Sequence, residues 1–227
     1  MATDIVALSD IEDELGGGLE AADSTLLDSI RKRTESLARQ YVRWNISEDT
    51  YTHVLPHRGP VGDKLQLPQP YVSSVASVYE DSFASGGQKT GDFPTGALLT
   101  VGDDYFLDYD ASGEYSKTGL LVRASRHWAP FDRCIKVTYT SGFDSDALDD
   151  AYLFVKDAII NETIARFHYR KERQGATGVA GTVKSERLKD YAISYAVGAD
   201  SLSPNASGLS DITEAALDPI RFYGMYL

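Results

Sequence analysis

His53 and His57 have the spacing of a helical zinc pair, in which two imidazoles one turn apart grip a metal. The surrounding residues do not support that chemistry. No Glu follows His53, and Pro56 together with the strand-like alternation of the segment argues against a helix. Asp108-x-Asp110-x-Ser112-Gly113 opens like a calcium loop, but its twelfth position is Gly119 where a bidentate Glu is needed. A turn between two strands explains it better. Gly178-x-x-Gly181-x-x-Lys184-Ser185 invites a phosphate-loop reading. Val183 rather than Gly precedes that Lys, and the segment follows a helix instead of a strand, so the reading fails. No Gly-x-Ser-x-Gly nucleophile elbow occurs. Cys134 has no His beside it in sequence, which leaves His127 as a partner only if the fold brings the two together. Asn45, Asn161 and Asn205 begin glycosylation-type triplets, which mean little without a secretory signal. The carboxylates are many, but no pair stands out. These residues predict no enzyme, no metal site and no cofactor.

The 227 residues carry a net charge of -12. Such a chain does not grip nucleic acid over its whole surface, because phosphate binding needs clustered Lys and Arg. Acidity suits a wall past which DNA slides without sticking, and it suits ordinary solubility equally. With 42% apolar residues the chain is expected to fold around a real core. No apolar run approaches the ~20 residues of a membrane helix. Met1 to Asp13 is acidic and lacks the basic and apolar regions of a signal peptide. A cytoplasm is therefore the expected place of synthesis. The one cysteine, Cys134, agrees, and its neighbours Ile135 and Val137 predict its burial.

The elements follow from periodicity. Ser9-Asp10-Ile11-Glu12 has capping-box spacing and predicts a short helix to about Leu15, ended by Gly16-Gly17-Gly18. A longer helix is expected from Asp23 to Trp44, with Leu26, Leu27, Ile30, Leu37, Tyr41 and Trp44 at helical spacing. Asp28, Arg31, Lys32, Glu35 and Arg39 fall mostly elsewhere on that wheel. From Thr50 to Phe143 the period becomes strand-like. The expected strands are Thr50–Leu55, Lys64–Leu67, Val72–Tyr79, Tyr105–Tyr109, Gly119–Ala124 and Cys134–Thr140, with an exposed loop from Ser82 to Gly96. Helix returns from Asp146 to Arg173. Its polar stripe of Asp150, Asp157, Asn161 and His168 is narrow, which predicts neighbours on several sides. Its last turns hold Arg166, Arg170, Lys171 and Arg173, which suit either the helix dipole or an acidic docking partner. Val183 to Tyr195 reads as a strand or hairpin arm. Asp211 is expected to cap a final helix through Leu217. The sequence then ends in Phe222, Tyr223, Met225, Tyr226 and Leu227, an apolar and aromatic tail expected to dock somewhere.

The order of several motifs resembles the head-tail connector (adaptor, or head-completion) proteins of tailed phages. The resemblance spans about Leu26 to Tyr195. It rests on the leading helix ending at Trp44, the strand start Thr50-Tyr51-Thr52, and Leu67-Pro68-Gln69-Pro70 before Ser74-Val75 and Ser77-Val78. It continues with Gly102-Asp103-Asp104-Tyr105, then Trp128 before Val137-Thr138-Tyr139-Thr140-Ser141-Gly142-Phe143, and Ser185-Glu186 before Asp190-Tyr191 and Tyr195. The long loop from Ser82 and the segment before Asp23 depart from the pattern.

The resemblance implies an α+β fold, a helical bundle drawn from both ends of the chain with a β-strand insert and a C-terminal arm. The boundaries expected are an N-terminal extension at 1–22, a bundle core at 23–47 and 144–174, a β-rich insert at 48–143, and an arm and tail at 175–227. The implied function is structural: a ring, usually dodecameric, beneath the portal protein of a virion neck, assembled in the host cytoplasm. Such a ring extends the DNA channel without sequence-specific binding and receives the next connector, stopper or tail protein. No membrane is involved. Portal binding is expected of Phe222, Tyr223, Met225, Tyr226 and Leu227, and docking to a neighbour of Arg166, Arg170, Lys171 and Arg173. Deletion after Pro219 is expected to spare folding and abolish portal attachment. The alternative reading is a carbohydrate- or calcium-binding β module on a helical stalk.

Overall fold

The alternating Val, Thr and Tyr runs in the middle of the chain become two antiparallel sheets. The computed structural model describes residues 4–56, 62–81, 93–111, 113–130, 132–175, 186–188, 191–193 and 207–222, with the backbone alone at 56, 132, 173–175, 186–188 and 191–193. The described residues form two compact units. One holds Trp44–Asp146 and Phe222, the other Asp4–Arg43 and Ala147–Arg221.

In the β unit, β1 (Asp49–Pro56), β6 (Asp132–Ser141) and β3 (Val72–Glu80) make one sheet in the order β1-β6-β3. β2 (Lys64–Gln66), β5 (Leu120–Arg123) and β4 (Tyr105–Leu107) make the second, ordered β2-β5-β4. Thr50, Tyr51 and Thr52 pair with Thr140, Tyr139 and Thr138. One core draws on both sheets: Leu55, Val78, Ile135, Val137 and Tyr139 from the first, Leu65, Tyr105, Leu107 and Leu121 from the second, with Trp128 and Cys134 among them. The period-two pattern explains this, since alternate side chains of each strand share one face. Each strand lies where its alternation predicted, to within about two residues, the scatter expected at element ends.

A second cluster sits where the unit opens and closes. Trp44 stacks on Tyr71 at 4.9 Å, and Phe143 meets Tyr71, Trp44 and Tyr115 edge-on. Gly142 has φ +108, and a Cβ there would overlap the Ser47 carbonyl. The Phe143 N–H donates to Ile46 O at 2.8 Å, and the Glu48 N–H to Phe143 O at 2.9 Å.

The other unit is mainly helical. α1 (Leu8–Glu14) starts after Ala7, which offers no side-chain cap. Ser9 therefore lies inside the helix and the expected capping box does not form; Glu12 instead accepts from Ser24 Oγ at 2.5 Å. Gly16, Gly17 and Gly18 all take positive φ and end α1. α2 (Ala21–Val42) stops two residues before Trp44, because Arg43 turns left-handed at φ 69. The expected long helix is two: α3 (Ser145–Asp149) and α4 (Leu153–Gly175). Between them the Tyr152 N–H bonds back to Ala147 O at 2.8 Å, a widened turn at two adjacent Asp residues, which are poor helix formers. Backbone pairing joins β7 (Glu186–Leu188) to β8 (Tyr191–Ile193) as antiparallel strands. α5 (Asp211–Leu217) is capped by Ser210, not by Asp211; the Ser210 oxygen accepts the Thr213 N–H. No helix among the described residues is long and apolar enough to cross a membrane.

Candidate interaction surfaces

Two charged residues expected on the polar side of α2 are in its buried stripe. Glu35 is 1% exposed and Arg31 3%. They alternate with Leu27, Ile30, Ala38 and Val42, which are also buried. The Glu35 carboxylate accepts the backbone N–H groups of Ile5 and Val6, each at 3.1 Å, and Arg31 Nη1 donates to Val6 O at 2.8 Å. Burial raises the Glu35 pKa above the ordinary carboxylate value, against the lowering effect of the Val6 amide and the Arg31 and Arg39 guanidinium groups.

On α4, Glu162 is a second buried carboxylate. Its Oε2 accepts from Ser210 Oγ at 2.5 Å and Thr213 Oγ1 at 2.8 Å, and its Oε1 from Arg166 Nε at 2.8 Å. Burial pushes its pKa up, but these hydrogen bonds outweigh burial and leave it below the ordinary value. Glu162 thus fastens the α5 N-cap to α4.

The expected docking cations are placed unevenly. Arg166 pairs with Glu162 and donates to Gly208 O, so it braces its own unit. Lys171 pairs with Asp23 at 2.6 Å. Arg170 is exposed, and Arg173 lies near the end of α4. Phe222 is half-buried. Tyr223, Met225, Tyr226 and Leu227 lie outside the described residues.

In the β unit, His53 Nδ1 lies 3.1 Å from the Tyr139 hydroxyl, and burial lowers its pKa. His57 and Ser112 fall outside the described residues, while Asp110 pairs with Lys117. Cys134 is buried, as its neighbours predicted, and its thiol donates to Ala129 O at 3.3 Å. Among the described residues no group of three or more His, Cys, Asp or Glu side chains could hold a metal. Glu80 on β3 meets Arg123 on β5 at 2.6 Å, and the Arg123 guanidinium also reaches Asp104 and lies over Trp128. Val101 and Phe106, at 68% and 45% exposure, are large apolar groups that sequence periodicity did not single out.

No family model matches the chain, and no curated protein matches it. Among solved structures the fold is similar to a chain from the neck of an empty GTA particle computed with C6 symmetry. The TM-score is 0.51 at 12% identity, over 83% of this chain and 86% of that one. A chain from the neck of a native GTA particle computed with C12 symmetry gives 0.46 at 13% identity, over 71% and 75% of the two chains. One from the virion of a native gene transfer agent (GTA) particle gives 0.44 at 16% identity, over 77% and 81%. At 12% identity the first of these is a likeness of fold.

Proposed function

We propose that the chain is a structural component of the neck of a tailed phage or phage-like particle, a head-tail connector that assembles as a ring beneath the portal. The observation that carries this reading is the likeness in fold, over most of both chains, to a chain from a particle neck computed with C6 symmetry. The motif order from about Leu26 to Tyr195 points the same way. A twelve-membered ring is compatible with such an axis, and a ring of identical chains needs a head-to-tail contact repeated around it. DNA passes through the lumen, and the opposite face receives the next connector or tail protein.

In this reading the protein acts by binding and catalyses nothing. Phe222, Tyr223, Met225, Tyr226 and Leu227 meet the portal. Arg170 and Arg173, with Arg166 and Lys171 steadying the same helix, dock a neighbour. Weak pairwise contacts become strong when a portal templates many at once.

The test is native mass, measured on the purified protein alone and mixed with its portal. A ring under either condition is the expected result. A monomer under both would overturn the reading.

A further inference from the structure

The buried Glu35 and Arg31 hold the main chain of another segment in the manner of a peptide receptor. Three successive residues are read. Arg31 Nη2 takes the Asp4 carboxylate at 2.9 Å, Glu35 takes the Ile5 and Val6 amides, and Arg31 Nη1 takes the Val6 carbonyl. Ile5, Val6 and Ile11 are buried as apolar plugs. Asp10 pairs with Lys156 on α4 at 2.8 Å, and Glu12 accepts from Ser24 on α2. Main-chain hydrogen bonds combined with pockets for side chains are one of the recurring ways in which peptides are held. Charge pairs add to this: Asp4 reaches Arg31 and Asp10 reaches Lys156, each cation also being held within the cleft, Arg31 by Asp28 and Glu35 and Lys156 by Asp149.

Three glycines lie between the segment and α2. Gly16, Gly17 and Gly18 have φ +88, +71 and +71, and a Cβ on any of them would meet nothing within 4 Å. Glycine takes left-handed and other backbone angles at little steric cost, so this is where a different chain path is least opposed.

We propose that the cleft between α2 and α4 is an exchange site that receives Asp4–Glu14 from a second copy of this chain. The proposal rests on the ring reading above, which sets copies side by side. The contacts are the same within a chain or between two, so exchange changes mainly the effective concentration and the path of the chain at the three glycines. It also gives an acidic chain of net charge -12 an acid-to-base contact with its neighbour.

The Asp10–Lys156 pair allows a test on the full, unaltered chain. Isotopically light and heavy protein are refolded together, assembled with portal, and treated with a carbodiimide, which joins a carboxylate to a contacting amine. Mass spectrometry then sorts the Asp10–Lys156 linked peptides. Complete exchange gives mixed-isotope peptides as abundant as the two pure classes together. Rings that yield only pure-isotope peptides would overturn exchange and leave the ring reading intact. If native mass shows monomers only, the ring reading fails. Pure-isotope peptides would then overturn exchange too, whereas mixed peptides from any minor oligomer would sustain it alone.

Discussion

Glu80 and Arg123 meet at 2.6 Å with both side chains almost wholly buried, joining β3 of one sheet to β5 of the other. The second Glu80 oxygen accepts the Ala129 N–H at 2.6 Å. Truncating Glu80 leaves the buried Arg123 with only the partly exposed Asp104 as counterion, at 3.2 Å, and leaves the Ala129 N–H without its acceptor. Glu80→Ala is therefore expected to destabilise the protein by about 3–5 kcal/mol. Replacing both partners with apolar residues of similar volume should cost clearly less. Urea unfolding of the single and double variants checks this; a single variant at the wild-type midpoint would show that the pair is not a brace.

Glu162 and Glu35 should titrate with opposite effects. The native pKa of Glu162 lies below its ordinary 4.5, so its ionisation contributes stability that is present above pH 4.5 and lost as pH falls through the native value. Glu35 has a raised pKa, so its contribution is present below 4.5 and lost as pH rises through the native value. The stability gap between wild type and Glu162→Gln should shrink on acidification, while wild type should gain on Glu35→Gln. Unfolding midpoints from neutral pH to below 4.5 provide the measurement, and parallel curves for the two variants would contradict both assignments.

Two glycines with positive φ should respond differently to alanine. Gly17 has open space around it, so Gly17→Ala should cost only the left-handed strain, about 1–2 kcal/mol. Gly142→Ala adds an overlap with the Ser47 backbone and should cost distinctly more, with backbone strain alone at ~1–3 kcal/mol. Thermal melts of the two variants side by side separate strain from overlap.

The fold also says where to cut the tail. Ile220 is 2% exposed, and the Arg221 guanidinium lies 4.5 Å from the Tyr41 ring centroid. Deletion after Pro219 would remove both, so the informative truncation stops after Phe222. It is expected to keep the wild-type unfolding midpoint and to lose co-sedimentation with portal. A truncated protein that still binds portal at the wild-type level would remove the tail from the proposed interface.

The strands were legible because one face of each is buried, so Ile135, Val137 and Tyr139 impose the period that marks β6. The α3–α4 break was not, because apolar spacing runs on through Tyr152 and Leu153 while a local hydrogen bond at Ala147 interrupts the helix. Arg31 and Glu35 were misread for a related reason. A wheel sorts by polarity, and it cannot show that the carboxylate's partners are the amides of Ile5 and Val6, far off in sequence. One signal was present: Leu27, Arg31, Glu35 and Ala38 keep the spacing of a single face. Of the candidate site, the residue types at the end of α4 were readable, but Arg166's bond to Gly208 depends on a return of the chain that no periodicity announces.

The backbone pairing of Ile46 and Glu48 with Phe143 means that the β unit clasps its own entry to its own exit. Everything between those residues is a closed excursion. Its loops can lengthen, shorten or be replaced without moving the two points at which the polypeptide enters and leaves. It is built like a cassette, in which surface between those points can be exchanged while the latch at Ile46, Glu48 and Phe143 stays as it is.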